Sequence, residues 1–154
     1  LVELCEPALA IAAWLGQRLA RAPSAALFID YGHASTLTGD SLQALRHARP
    51  AAPLEAAGQA DLTAHVDFTA FGAAARQAGA CVYGTLTQGA FLRRLGLMER
   101  TAQLAAAAPE QAQALLSGAE RLAAPEKMGH LFRVMALLSP GLPAPPGFEE
   151  GLPT

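Results

Sequence analysis

Two short polar clusters in this chain carry the side chains suited to acid–base or binding chemistry. The first is Asp30-Tyr31-Gly32-His33. It ends an apolar run, AALFIDYG, and ligands of open α/β sheets bind beyond the carboxyl ends of the strands. An aspartate there accepts hydrogen bonds from a cationic group, and a histidine near its ordinary pKa exchanges protons. The second cluster is ADLTAHVDF, residues 60 to 68, in which Asp61, Thr63, His65 and Asp67 alternate. If the segment is extended, these four share one face, and a histidine flanked by carboxylates suits a proton relay or a metal cluster. Each cluster also has a purely structural reading. Asp30 and His33 can pin a loop through backbone bonds, Asp67 can cap the helix that follows, and His65 can be a hydrogen-bonded core histidine.

Thr85, Thr87, Gln88 and Gly89 form a weaker third group, able to bond a ligand amide or to cap a helix. His47 and His130 read as structural or exposed. Ser41 lies in no GxSxG elbow. The chain contains no GxGxxG, GxGxG or Walker sequence, so it has no dinucleotide turn or phosphate cradle of its own.

The elements that must position these groups follow from periodicity. Residues 3 to 21 read as a helix, with Leu4, Leu9, Ile11, Leu15 and Leu19 near helical spacing. Residues 25 to 32 read as a strand covered on both faces. Residues 33 to 66 read as mostly irregular, with a short helix over Ser41 to Arg49. A helix follows over 68 to 78, with Asp67 as its cap, a Val66–Phe71 staple and Gly79 at its end. The pattern then gives a strand over 81 to 88 with a bulge at Gly84, a helix over 90 to 96, alanine-rich helices over 97 to 123 with a restart at Pro109, and a strand over 131 to 138. The tail from Pro140 to Thr154, rich in Pro and Gly, is expected to fray. This order is an α/β layout whose three strands make a thin sheet, which implies further strands upstream.

Bulk properties narrow the function. The chain has 154 residues, a net charge of -2 and 52% hydrophobic residues, much of that alanine. No basic stripe runs along any predicted face, which disfavours nucleic acid as a partner. No apolar run is long enough to cross a bilayer. Cys5 and Cys81 are expected to be small buried side chains in a reducing compartment. The start at Leu1, without Met or a basic leader, points to a piece of a longer or processed product.

Four segments carry a family resemblance: ALFIDYGH, GDSLQALRHARPAAPLEAAGQADLTAHVDF, TLTQGAFLRRLGL and MGHLFRVMAL. In order and without large gaps, from the start to about Ser139, the chain resembles the MidA family of S-adenosylmethionine-dependent methyltransferases. That family includes the mitochondrial complex I assembly arginine methyltransferase. The resemblance implies a class I, Rossmann-like methyltransferase sheet of which this chain is the C-terminal half, with a helical insertion at about 90 to 123 and a separate Pro/Gly tail over 140 to 154. The strands at 25, 81 and 131 would be the fifth, sixth and seventh, the last antiparallel.

The resemblance further implies S-adenosylmethionine as cofactor, with its main binding motif upstream. It implies a protein substrate, such as a respiratory complex I subunit, no nucleic-acid or membrane partner, room for a homodimer, and a bacterial cytoplasm or mitochondrial matrix as the place of action. Asp30, His65 and Asp67 are then the candidate catalytic residues, since an arginine acceptor needs carboxylates to hold it and a group to carry its proton. Tyr31, His33, Asp61, Thr63 and Gln88 are the candidate substrate contacts. Two other readings stand beside this one: a non-catalytic partner-binding or dimerisation fragment, and a metal-dependent hydrolase built on DLTAHVD.

Overall fold

The computed structural model describes residues 3–35, 39–55 and 58–149. Helix α1, Glu6–Leu19, carries Pro7 and Glu6 in its first turn and Arg18 in its last. A helix start tolerates the missing proline N–H, and both charges oppose the helix dipole favourably. Strand β1, Ala25–His33, follows directly. Helix α2, Phe68–Gln77, begins after the two-residue strand β5, Val66–Asp67. Next come β6, Cys81–Thr87, and the helices α3, Gln88–Arg94, α4, Leu97–Ala107, and α5, Ala112–Ala123. The last strand, β7, spans Phe132–Leu138.

The main sheet has the order β5-β1-β7-β6. β7 runs antiparallel to both of its neighbours, so β1 and β6 are parallel to each other. This is the strand arrangement expected for the last three strands of a class I methyltransferase sheet, with the helices α3 to α5 inserted before the final strand. The register between β6 and β7 shifts between Tyr83 and Leu86, which places the irregularity at the expected Gly84.

β7 organises the core by alternation. Met135 and Leu137 join a cluster with Ala12, Leu19, Phe68 and Phe71 from α1 and α2. Val134, Ala136 and Leu138 face the other way, into a cluster with Phe91 and Phe148. β1 shares the first cluster through Ala26 and Phe28, and Phe28 meets Phe71 edge to face at 4.9 Å between ring centroids. The two helices approach closely because residue 16 is glycine: a Cβ there would stand 2.5 Å from the Ala75 carbonyl oxygen.

Several sequence expectations change. β1 is not covered on both faces: Leu27 and Ile29 are 53% and 46% exposed, because the insertion covers β7 but not β1 on that side. The helix expected over Ser41 to Arg49 is a hairpin of β2, Gln43–Arg46, and β3, Arg49–Ala51. β4, Asp61–Thr63, completes this small second sheet in the order β3-β2-β4. His47 and Ala48 turn the hairpin with φ of 52° and 58°, the mirror-image turn that matches strand twist. Cys5 is exposed and Cys81 half-buried, rather than both buried. The tail packs rather than frays as far as Glu149, since Phe148 lies against Phe91 at 5.2 Å. Residues 150–154 of that tail, and 36–38 and 56–57 of the 33–66 segment, lie outside the described residues.

Candidate functional site

β1 ends in Tyr31, Gly32 and His33, and β5 pairs alongside in parallel, Gly32 opposite Val66 and His33 opposite Asp67. This pairing brings the two polar clusters of the sequence to one rim of the sheet. The His65 ring lies 6.0 Å from that of Tyr31, which in turn meets Phe132 edge to face at 5.7 Å. Gly32 is required for the approach, because a Cβ at residue 32 would collide with the Val66 carbonyl and meet the Phe68 ring at 3.0 Å.

His65 is held from behind. Its backbone N–H donates to Ser41 Oγ at 3.0 Å. The Ser41 hydroxyl donates to Glu3, and the Ser41 N–H donates to the second Glu3 oxygen at 2.9 Å. These bonds from the Ser41 hydroxyl and then its backbone hold the Glu3 carboxyl below the usual carboxylate range. His33 shares its Nδ1 with the Ser35 carbonyl. A carbonyl only accepts, so Nδ1 carries the proton, and Nε2 has no hydrogen-bond partner among the described residues.

His33 and His65 line an open cleft of about 470 Å³. Pro125, Lys127, His130, Leu131 and Arg133 also line it, from the turn between α5 and β7 and the first residues of that strand. Lys127, His130 and Arg133 stand there. Sequence reasoning set His130 aside and passed over Lys127 and Arg133. The one available signal was Arg133, a charge inside the apolar run LFRVMALL.

The remaining expected site residues divide. Asp30 lies one residue before the rim, in register with Arg133, and its Oδ1 accepts the Tyr31 N–H at 2.8 Å. Asp67 caps α2, accepting the Ala70 N–H at 2.9 Å. Asp61 is exposed on β4, and Thr63 is half-buried on the same strand. Gln88 is not brought to the cleft: it is 7% exposed, and its amide nitrogen donates to the Leu122 carbonyl at 2.8 Å. Thr87 caps α3 through the Ala90 N–H. Thr85 opens on a second cleft of about 350 Å³ with Thr69 and Arg76. Among the described residues, no group of three or more His, Cys, Asp or Glu is placed to hold a metal ion, and no helix is long and apolar enough to cross a membrane.

A family profile described as "Putative S-adenosyl-L-methionine-dependent methyltransferase" matches residues 1–86, more than half of the chain. The chain belongs to this family. Its curated relatives include protein arginine methyltransferase NDUFAF7, mitochondrial, of Danio rerio, 36% identical over 139 residues. The proteins of the same name from Mus musculus and Homo sapiens are 40% and 38% identical. The match takes in 90% of this chain and 32% of the Danio rerio protein, so the chain spans about a third of the length of these relatives. Two crystal structures from Burkholderia thailandensis share the fold. One superposes with a TM-score of 0.83 at 29% identity over 95% of this chain and 40% of the other. The second, bound to S-adenosyl-homocysteine, superposes at 0.78 with 27% identity over 93% of this chain and 38% of that one.

The adenosine part of the family's cofactor is held at a glycine turn that opens a helix. No glycine turn among the described residues offers an adenosine cradle: Gly32, at the end of β1, already faces the Val66 carbonyl and the Phe68 ring. What these residues do form is a histidine-lined rim, open on one side, with a hydrogen-bonded brace behind it.

Proposed function

We propose that this chain forms the acceptor side of an S-adenosylmethionine-dependent methyltransferase that modifies arginine in a polypeptide. The observation that carries the reading is the meeting of Tyr31, His33 and His65 at the carboxyl rim of β1, in a chain of this family. When bound, the cofactor supplies a methyl group on a cationic sulfur. Methylation of a guanidinium nitrogen releases one proton from that nitrogen, and the proton needs a local acceptor. His65, fixed by its backbone bond to Ser41, is that acceptor in our reading. His33, in the same cleft and with Nε2 unpartnered among the described residues, passes the proton to solvent in this reading. Tyr31 supports the rim through its ring contacts with His65 and Phe132. Asp30 and Asp67 enter as groups that shape the rim, through their bonds to Tyr31 and α2.

The names of the relatives support arginine as the acceptor and, in eukaryotes, a mitochondrial location. A respiratory complex I subunit as the acceptor protein, and the bacterial cytoplasm or mitochondrial matrix as the compartment, belong to the same proposal. The test uses the complete gene product. S-adenosyl-homocysteine binds it in calorimetry, and His65→Asn lowers kcat about a hundredfold with cofactor affinity unchanged. Failure of the complete protein to bind S-adenosyl-homocysteine ends the methyltransferase reading; an unchanged kcat in the variant ends the role of His65.

A further inference from the structure

One stretch of the cleft's lining is chemically distinct. It presents Lys127, His130 and Arg133, and among the described residues no carboxylate lines the cleft. Lys127 is paired with Glu120 at 2.9 Å, yet both side chains are half exposed and this pair is weakly held. Arg133 is different. Its Nε is shielded from solvent and has no hydrogen-bond partner among the described residues. A buried N–H of a cation without an acceptor costs more than a neutral one, and a guanidinium presents its donors in a fixed fork that matches an oxyanion. Asp30 is its register neighbour on β1, but the Lys127–Glu120 contact is the ion pair formed among the described residues. The cleft is therefore a cationic recess, and the guanidinium that borders it carries an Nε–H with no acceptor among the described residues.

We infer that this recess binds a carboxylate of the polypeptide acceptor, an acidic side chain close in sequence to the methylated arginine, with Arg133 as the principal contact and Lys127 and His130 as its flanks. The inference rests on the acceptor reading above and adds a substrate preference to it. The positive stretch holds the acceptor's anionic neighbour, repels the guanidinium, and so turns the guanidinium toward the histidines. Two other sources share the carboxylate chemistry: a free small anion, and the carboxylate of the cofactor's own amino acid.

The experiment follows the Arg133 side-chain Nε–H resonance by NMR in the complete gene product. Three probes are titrated separately: malonate, S-adenosyl-homocysteine, and a matched pair of arginine peptides flanked by glutamate or by glutamine. The expected result is a saturable shift with the glutamate peptide, at roughly tenfold or greater preference over the glutamine peptide. Arg133→Gln abolishes the preference and Lys127→Met reduces it a few-fold. Equal affinity for the two peptides overturns the inference. So does a shift produced by malonate without peptide preference, or one produced fully by S-adenosyl-homocysteine. The wild-type titration needs no variant, so a poorly folded Arg133→Gln protein leaves the answer intact. Loss of S-adenosyl-homocysteine binding with the peptide preference retained would instead fail the methyltransferase reading and keep the anion recess.

Discussion

Ser41 acts as a junction between the segment before α1 and the histidine rim. Its hydroxyl oxygen takes the His65 N–H while its own two donors go to Glu3. Glu3 is fully exposed, and its folded-state pKa lies below the ordinary value because the Ser41 hydroxyl and then its N–H bond the ionised form. A depressed carboxylate contributes fully above its unfolded pKa, and that contribution is lost as pH falls through the lower folded value. The brace on His65 thus loosens only in acid. The expected outcome is a His65 backbone amide shift that titrates with a midpoint below the usual carboxylate range, and whose titration disappears in Glu3→Gln. A flat amide shift in the wild type would disconnect Glu3 from His65. Gly32 sets the other side of the rim. Gly32→Ala forces its Cβ against the Val66 carbonyl and the Phe68 ring, an overpacking that costs about 1–3 kcal/mol. Urea denaturation should show it as a lower midpoint at unchanged slope, and a midpoint equal to wild type would mean that β5 yields freely.

At the level of elements, the β2–β3 hairpin is closed by two residues with positive φ, neither of them glycine. Side chains other than Asn, Asp and Gly strain that backbone region. His47→Asn with Ala48→Gly should therefore stabilise the folded chain by about 0.5–1 kcal/mol. Calorimetric melting checks it, and no rise in Tm would mean that the turn geometry differs. The same residues explain what the sequence hid. An Asn-Gly pair would have announced the hairpin, whereas His-Ala announces nothing, and Pro50 inside β3 argues against a strand. Strands of three and four residues also give alternation too little length to register. By contrast, β1, β6 and β7 were legible as apolar runs that end in polar residues, and α2 was legible from its cap Asp67. The site divided along the same line. Tyr31, His33 and His65 were visible because each sits in a polar cluster beside a strand end. Lys127, His130 and Arg133 reach the cleft only because β7 returns antiparallel between β1 and β6, a long-range pairing that local pattern does not encode.

The whole molecule is asymmetric about β1. Along Ala25–Tyr31 this strand pairs on one side with β7, while β5 reaches its other edge only at Gly32 and His33. The remaining edge has no strand partner among the described residues, and beside it Leu27 and Ile29 expose apolar side chains on the face that the insertion leaves bare. An open edge next to an apolar face is a template for strand addition. In a chain that spans about a third of its relatives' length and superposes on about two fifths of the Burkholderia thailandensis structures, we propose that both features are where further strands of such a sheet dock, a placement that would put β1 and its histidine rim inside the larger sheet. Expressed without those strands, the chain should satisfy the edge with itself. Sedimentation velocity is expected to show concentration-dependent association of the 154-residue chain, and Leu27→Lys with Ile29→Lys should return it to monomer with its helical circular dichroism retained, since neither side chain contributes to the two core clusters. A wild-type chain that stays monomeric at high micromolar concentration, with β1 amides protected from hydrogen exchange, would show that the edge is already covered, and with it would go the placement of the rim inside a larger sheet.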